Sequence, residues 1–184
     1  TACFAFVGCN DNRGDRTLPD VGEMIADGQT TYKVIVPSNA SATQEYAAQQ
    51  ICNYFAQVTG VAMSYVADSG ESYDSNSTII SLGKTSAYNT AVKNHKNVDV
   101  SRKTLNDDGF VMFTDGKSLF IDSYNDRGIM YGAFEFIEQN LGVKFLTYDY
   151  TYVPTATQVV LKGYDKTCVS PFRQRVYLNT PIWY

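Results

Sequence analysis

Apolar and polar residues follow two different periods along this 184-residue chain, and the helical period is clearest between residues 41 and 60. There the apolar residues recur every three or four positions, which places them on one side of a helix. Ser41 can cap the first turn, and Gln44 completes a capping box that is worth roughly 1 kcal/mol. Gly60 stands where a left-handed residue ends a helix. The apolar stripe consists of Ala47, Ala48, Ile51, Tyr54, Phe55 and Val58.

A second helix is predicted in the sequence NDRGIMYGAFEFIEQNLG. It begins at Asn125 or Asp126 and ends at Gly142. Gly128 and Gly132 lie opposite the apolar stripe, where each costs ~1 kcal/mol in helix propensity relative to alanine. Either another part of the protein approaches this face closely, or the start of the helix is irregular. The stripe consists of Ile129, Met130, Ala133, Phe134, Phe136, Ile137 and Leu141.

Segments of alternating or β-branched residues predict the strands. Asp115-Gly116 is a strong turn signal between two alternating segments, so residues 108–124 are expected to form a β-hairpin. A short helix is predicted around Ser86 to Lys93, and residues 144–154 are interpreted as an aromatic loop. The other predicted strands cover residues 32–37, 63–67, 77–83 and 157–163.

The elements follow one another in the order β-α-β-β-loop-β-β-α-β-β. This order predicts an α+β fold, with a mixed, mostly antiparallel β-sheet and two long helices packed on one face. If each helix buries five or six large apolar side chains at ~1.5–3 kcal/mol apiece, the two helices offset much of the cost of ordering the chain. The helices are therefore interpreted as structural.

The N-terminal segment, residues 1–30, is interpreted as a leader remnant or lipoprotein tether followed by a linker. Val7-Gly8-Cys9 resembles the lipobox of bacterial lipoproteins, in which the cysteine receives the lipid, although Phe6 stands where leucine is usual. Cys9 is therefore a candidate lipidation site. The expected location is extracytoplasmic, in the bacterial cell envelope as a periplasmic or surface lipoprotein. The alternative interpretation is a frayed tail.

Composition narrows the range of partners. Charged residues make up only 18% of the chain, the net charge is −4 and the basic residues are scattered, which argues against nucleic acid as a partner. No apolar run is long enough to span a bilayer, so membrane contact is expected only through a lipid anchor. A single histidine, His95 in a polar loop, and the absence of metal-binding motifs predict no metal site and no cofactor. Cys52 and Cys168 either pair with each other or leave Cys52 as a buried free thiol.

Acidic side chains are the obvious candidates for acid–base chemistry, because glycosidases and many other hydrolases use paired carboxylates. The acidic residues here occupy turns, a helix start and a solvated helix face, and no nucleophile motif accompanies them. We therefore expect no catalytic residue in this chain. The carboxylates considered are Asp107, Asp108, Asp122, Asp126, Asp149, Glu135 and Glu138.

Aromatic residues are the remaining signal. The chain has 14 tyrosines, 10 phenylalanines and one tryptophan, and a content this high is typical of extracellular proteins whose flat rings stack on sugars. Most of these rings are expected in the core or on strands. The candidates for exposure and for sugar contact are the loop Tyr148-Asp149-Tyr150-Thr151-Tyr152 and the terminal pair Trp183 and Tyr184.

Several motifs, taken in the order in which they occur along the chain, resemble the sequence of the N-terminal domain in α-glucuronidase-like glycoside hydrolases. In those enzymes this domain precedes a catalytic barrel. More distantly, the motifs resemble the second domain of β-hexosaminidases (chitobiases). The resemblance covers about residues 32–163: a strand ending in proline, a helix containing EYAAQQICNYFAQVTG, the strand IISLG, a hairpin beginning DGF, and a second helix. In the second helix the matching positions are Arg127-Gly128, Tyr131-Gly132, Phe136-Ile137-Glu138 and Leu141-Gly142.

This resemblance implies a non-catalytic accessory domain at residues 31–164, packed against a downstream (β/α)8 barrel that holds the catalytic carboxylates. Residues 165–184 would be a connector and the first strand of that barrel, here cut short. The two glycines of the second helix would then serve close packing against another part of the enzyme. The positions that fit the start of the barrel are Pro171, Phe172, Arg173 or Arg175, and Tyr177.

The expected function is that of an accessory domain of a secreted or envelope-anchored glycoside hydrolase that degrades polysaccharide. Its expected partners are the downstream catalytic barrel and, through the parent enzyme, a polysaccharide or oligosaccharide. Two alternatives stay open at this point. One is a free-standing carbohydrate-binding or surface-interaction module, and the other is a small autonomous hydrolase.

Overall fold

A computed structural model describes residues 18–70 and 72–169 of the chain. The helices are α1 (Ala42–Thr59), α2 (Ser86–Ala91), α3 (Arg102–Leu105) and α4 (Asp126–Leu141), with a 3-10 turn at Val92–Asn94. The strands are β1 (Leu18–Glu23), β2 (Lys33–Val36), β3 (Ser64–Ala67), β4 (Ile79–Leu82), β5 (Phe110–Asp115), β6 (Ser118–Asp122), β7 (Lys144–Phe145), β8 (Thr151–Tyr152), β9 (Val160–Gly163) and β10 (Asp165–Cys168).

The central sheet has six strands in the order β10-β5-β6-β4-β2-β3. The neighbours from β6 to β3 are parallel, whereas β5 and β10 are antiparallel to their neighbours. Two small sheets, β1 with β9 and β7 with β8, are antiparallel. The predicted mixed, mostly antiparallel α+β fold is confirmed, since four of the seven strand pairs in residues 18–70 and 72–169 are antiparallel. The parallel half of the central sheet was not predicted. It arises because α1 returns the chain from the end of β2 to the start of β3.

Helices α1 and α4 pack side by side on one face of the central sheet, as predicted. Their buried stripes meet each other and the inward side chains of the sheet in one apolar cluster. Phe55 and Phe136, one from each helix, are fully buried there. The short helix α2 covers part of the other face, where Phe113 and Phe120 stack with ring centroids 5.2 Å apart.

The predicted ends of the long helices are confirmed. Ser41 and Gln44 form both bonds of the capping box, and Gly60 is left-handed with φ 72°. At the start of α4 the Asn125 side chain accepts a hydrogen bond from the backbone N–H of Gly128, at 3.1 Å. These caps are local in sequence, which is why residue order alone reveals them.

The two glycines of α4 face the chain's own sheet, which corrects the expectation that they pack against another part of the enzyme. Both are buried. A Cβ on Gly132 would overlap with Ile121 of β6, and a Cβ on Gly128 would overlap with the Ser123 side chain and the backbone carbonyl of Gly109. The glycines therefore let the α4 backbone lie directly on the hairpin formed by β5 and β6.

Two strands extend the fold beyond the domain limits 31–164 expected from the sequence. Strand β1 lies in the segment interpreted as a linker, pairs with β9 and leads into the buried Met24. Strand β10 lies in the segment interpreted as a connector and is held by an ion pair in which Lys166 Nζ is 2.6 Å from Glu135 Oε1. The sequences of β1 and β10 do not alternate clearly between apolar and polar residues, because each is an outermost strand of its sheet. Residues 1–17 and 170–184, including Cys9 and the predicted first barrel strand, lie outside the described residues.

Cys52 is a buried free thiol, so it is not bonded to Cys168. This agrees with the second of the two interpretations that the sequence left open. Burial raises the pKa of the Cys52 thiol to about 11, although a backbone hydrogen bond partly opposes the shift. The residue therefore acts as a small apolar side chain of α1.

Substituting Gly128 with alanine tests the close contact of α4 with the sheet. We expect Gly128→Ala to lower the free energy of unfolding by ~1–3 kcal/mol, because overpacking outweighs the gain in helix propensity. Urea unfolding followed by circular dichroism measures this change. Asn53→Ala, at an exposed position of α1, is the control and should leave stability equal or slightly higher. A Gly128→Ala protein as stable as the wild type would contradict the contact.

Alkylation tests the burial of Cys52. At pH 8 we expect iodoacetamide to leave Cys52 unmodified in the folded protein, because the thiolate is the reactive form and is scarce below a pKa of about 11. Mass spectrometry of peptides locates the modification. The same reaction in urea should modify the residue fully. Equal rates in folded and unfolded protein would show that Cys52 is accessible.

Candidate functional site

The C-terminal ends of the parallel strands β2, β4 and β6 lie on the same side of the central sheet. This side, where strands end and which is not an outermost strand, is here called the carboxyl edge. Helices α1, α2 and α4 begin there, since each follows one of these strands. In open sheets with parallel strands, crevices at this edge are the usual place for a ligand. A crevice of about 300 Å³ lies at this edge, and its walls include Asn39, Lys84, Asp122, Tyr124 and Asp126.

Asp122, the last residue of β6, is the most buried charged side chain of the carboxyl edge, with 1% of its surface exposed. Its Oδ1 accepts a hydrogen bond of 2.8 Å from the Ser123 backbone N–H. Burial raises the pKa of Asp122, while that bond, the Tyr88 hydroxyl and the charge of Lys84 oppose the rise. Its Oδ2 is inaccessible to solvent and makes no well-aligned hydrogen bond among the described residues. Asp122 thus contributes to the crevice wall a carboxyl group that is almost fully buried and is bonded to the backbone of the next residue.

Three of the other candidate carboxylates are held in ion pairs. Asp107 Oδ1 lies 2.8 Å from Arg102 Nε, and Asp108 Oδ1 lies 2.5 Å from Arg127 Nη2. Glu135 binds Lys166 of β10, as described above. Each pair joins neighbouring elements of the same domain, so these acids have a structural partner.

The last three candidates lie at the start of α4, near its end and in the segment that follows it. Asp126 is in the first turn of α4, where an acid favours the helix dipole. Asp149 accepts a hydrogen bond of 2.7 Å from the Thr147 hydroxyl. Burial raises the pKa of Glu138, partly opposed by Lys144 and a backbone hydrogen bond from Phe145. Within residues 18–70 and 72–169, no group of three His, Cys, Asp or Glu side chains is placed to hold a metal ion.

His95 is less exposed than its polar sequence suggested. Its ring packs on Phe113 with centroids 4.5 Å apart, and Nε2 lies 3.7 Å from Asp115 Oδ1. About a quarter of the side chain remains exposed. In the described part of the chain, the contacts of His95 are with Phe113 and Asp115 of β5.

The opposite edge of the sheet carries a second candidate surface. Strands β7 and β8 and the turn between them, residues 144–152, form what is here called the aromatic hairpin; the sequence had suggested a loop. It follows the C-terminal end of α4 and packs through Phe145 against Tyr54 and Phe134, with centroids 5.4 and 5.3 Å apart. The exposed fractions of its large apolar side chains are 60% for Leu146, 75% for Tyr148, 56% for Tyr150 and 49% for Tyr152.

The three tyrosines that the sequence selected are therefore brought together and exposed on one hairpin. Whether they contact sugar stays a prediction. The other two candidates for sugar contact, Trp183 and Tyr184, and the candidate lipidation site Cys9 lie outside the described residues. As for bilayers, each helix in the described part of the chain is too short or too polar to cross one.

The pKa of Asp122 gives a test of the carboxyl edge. Because burial raises this pKa above its ordinary value of 3.8, the folded protein holds the proton more tightly than the unfolded chain does. The stability contributed by the protonated form is complete below about pH 4 and is lost as the pH rises through the folded pKa. We therefore expect the stability of Asp122→Asn, relative to wild type, to increase from pH 4 to pH 8 in urea unfolding.

Tyr88→Phe is the matched variant for this test. It removes the hydroxyl that favours the charged carboxylate, so its own loss of stability over the same pH range should exceed that of the wild type. A stability difference between wild type and Asp122→Asn that does not change with pH would show that Asp122 is not shifted by burial.

Comparison with known proteins assigns this chain to a family. The model of the glycosyl hydrolase family 67 N-terminus matches residues 22–136. Among curated protein sequences, none matches the chain. Among solved structures, the chain is similar to a GH138 enzyme targeting pectin rhamnogalacturonan II, with 21% identity and a TM-score of 0.40 over 59% of this chain and 13% of that chain.

It is also similar to a GH115 4-O-methyl-alpha-glucuronidase with specificity for decorated arabinogalactans. The identity is 16% and the TM-score is 0.41 over 60% of this chain and 14% of that chain. The match thus covers only a small part of either enzyme. The family model, by contrast, matches more than half of the 184 residues of this chain. The chain belongs to the family described as the glycosyl hydrolase family 67 N-terminus, an accessory N-terminal domain of glycoside hydrolases.

Proposed function

We propose that this chain is the non-catalytic N-terminal accessory domain of a secreted or envelope-anchored glycoside hydrolase that degrades polysaccharide. Its role is to support a catalytic barrel further along the same protein. The family match supports the accessory role. The small share of the two similar enzymes that the match covers, 13% and 14%, is consistent with one domain of a longer enzyme.

The observation that carries the proposal is that four of the seven candidate carboxylates are ion-paired or buried. Glycoside hydrolysis commonly uses two carboxyl groups that flank the scissile bond, ~5–10 Å apart. Here Asp107, Asp108 and Glu135 are in ion pairs, and Asp122 is enclosed beneath the carboxyl edge. Bond cleavage is therefore assigned to another part of the enzyme.

The path of the chain suggests where the catalytic domain attaches. In β10, Asp165 lies beside Phe113 and Cys168 lies beside Phe110, so the strand runs towards the carboxyl edge. The crevice, with the exposed Tyr124 and Lys84 on its walls, lies at this same edge. We assign this edge to the contact with the barrel.

The proposed location is extracytoplasmic and rests on Val7-Gly8-Cys9, with lipid on Cys9 as the anchor. A polysaccharide or oligosaccharide is the proposed partner of the parent enzyme. The second candidate function, a free-standing carbohydrate-binding module, is favoured by one observation, the three exposed tyrosines of the aromatic hairpin.

Hydrolysis by the full-length protein and by the isolated chain of residues 1–184 separates these functions. We expect the full-length protein to release sugar from aryl glycosides or polysaccharides, and the isolated chain to release none. Released reducing sugar is the readout. Turnover by the isolated chain that is abolished by one carboxylate substitution would overturn the proposal. A reading frame that ends at Tyr184 would favour the free-standing module.

A further inference from the structure

We propose that the aromatic hairpin is a saccharide-binding platform, which holds polysaccharide at the edge of the sheet opposite the carboxyl edge. This inference rests on the proposed function for its ligand class, since the parent enzyme is proposed to act on polysaccharide. It adds a binding surface in this domain, separate from the catalytic site.

The register of the hairpin places its exposed residues on one face. Lys144 pairs with Tyr152, and Phe145 pairs with Thr151. Because side chains alternate along a strand, Phe145 and Thr151 face inwards, whereas Tyr152 faces outwards. The next pair along the hairpin is joined by the Leu146 N–H, which donates to the Tyr150 carbonyl at 3.2 Å.

Leu146 and Tyr150 therefore extend the outward face, and Tyr148 stands at the tip. Directly opposed side chains on such a face have Cβ atoms ~4.5–5.5 Å apart. The face thus carries Leu146, Tyr150 and Tyr152, with Tyr148 at the tip, and the described part of the protein leaves these side chains 49–75% exposed. Exposed apolar patches of this kind mark binding surfaces.

The platform is fixed in place before any ligand arrives. Phe145 is packed edge-on between Tyr54 and Phe134, one from each long helix. The turn is closed by a hydrogen bond from the Thr147 hydroxyl to Asp149 Oδ1. Just beyond the hairpin, the Ala156 N–H donates to the Val58 carbonyl of α1, at 2.9 Å. Little ordering is then needed on binding, which favours affinity.

The composition of the face fits a sugar better than a protein partner. A pyranose ring has a face of C–H bonds that packs on an aromatic ring, and a rim of hydroxyls that needs hydrogen-bonding groups. Tyrosine supplies a rigid ring and a hydroxyl at a low cost in side-chain entropy. Lys144, which is paired with Tyr152, adds a hydrogen-bond donor to the outward face. The face holds one aliphatic side chain, Leu146, among three tyrosines.

The hairpin and the end of β10 lie at opposite edges of the domain. Helices α1 and α4 begin at the carboxyl edge and run back across the sheet, so the hairpin that follows α4 lies at the other edge. Strand β10 ends at the carboxyl edge. The last described strand therefore ends on the side of the domain away from the hairpin.

Affinity gel electrophoresis of the full-length protein tests the platform, with xylan, arabinogalactan or rhamnogalacturonan in the gel and a gel without polysaccharide as reference. We expect at least one polysaccharide to retard the wild type. The combined variant Tyr148→Ala, Tyr150→Ala and Tyr152→Ala should bind about tenfold more weakly or worse. The corresponding Tyr→Phe variant keeps the rings and should retain most of the retardation.

The matched control is Tyr46→Ala, which removes a tyrosine of similar exposure from α1 and should leave the retardation unchanged. Equal retardation of the wild type and the Tyr→Ala hairpin variant would overturn the platform, and so would a wild type that no polysaccharide retards. A large fall in melting temperature of the full-length Tyr→Ala variant would also overturn it, because that result would mean that the rings contact another domain.

Hydrolysis measured on the same preparations keeps the two proposals apart. An inactive wild-type protein that is still retarded through its tyrosines would contradict the proposed hydrolase and support the platform. An active protein whose retardation does not change when the tyrosines are replaced would support the proposed hydrolase and contradict the platform.

Discussion

The contact of α4 with the hairpin of β5 and β6 is the constraint on which the rest of this fold depends. Gly128 and Gly132 remove the side chains that would otherwise hold the helix away from Ser123, Gly109 and Ile121. With α4 at this distance, its apolar stripe can meet both the sheet and α1 in a single core. Packing therefore offsets the helix-propensity cost of the two glycines. The helix face that carries them, which has no apolar stripe in the sequence, lies against the hairpin of β5 and β6.

This packing also decides how the two edges of the sheet differ. The carboxyl edge gathers the starts of three helices, a buried carboxyl group and the end of β10. The other edge carries the ends of α1 and α4 and the aromatic hairpin that follows them. One edge thus suits attachment to a larger enzyme, and the other suits contact with an external ligand. No step of this division requires bond-breaking chemistry in the domain.

Features that depend on neighbouring residues were predictable from the sequence. The capping box of Ser41, the left-handed Gly60 and the Asp115-Gly116 turn are each set within a few positions. The exposure of Tyr148, Tyr150 and Tyr152 followed from a polar, turn-like context. Features that depend on distant partners were not predictable, and the parallel half of the sheet, the pairing of β10 with β5 and the partner of the α4 glycines are the examples.

The crevice at the carboxyl edge was missed for the same reason. Asn39, Lys84 and Asp122 come from three strand ends that are far apart in the chain, and only the strand order brings them together. The central claim is that the acidic groups of this domain stabilise the fold and do not take part in bond cleavage. The most direct test replaces each of the seven candidate carboxylates singly, Asp→Asn or Glu→Gln, in the full-length enzyme. The value of kcat is then measured for every variant that folds. The account predicts that kcat stays within about a factor of two throughout, whereas a loss of ~100-fold or more in any folded variant, as expected for removal of a general acid or base, would contradict it.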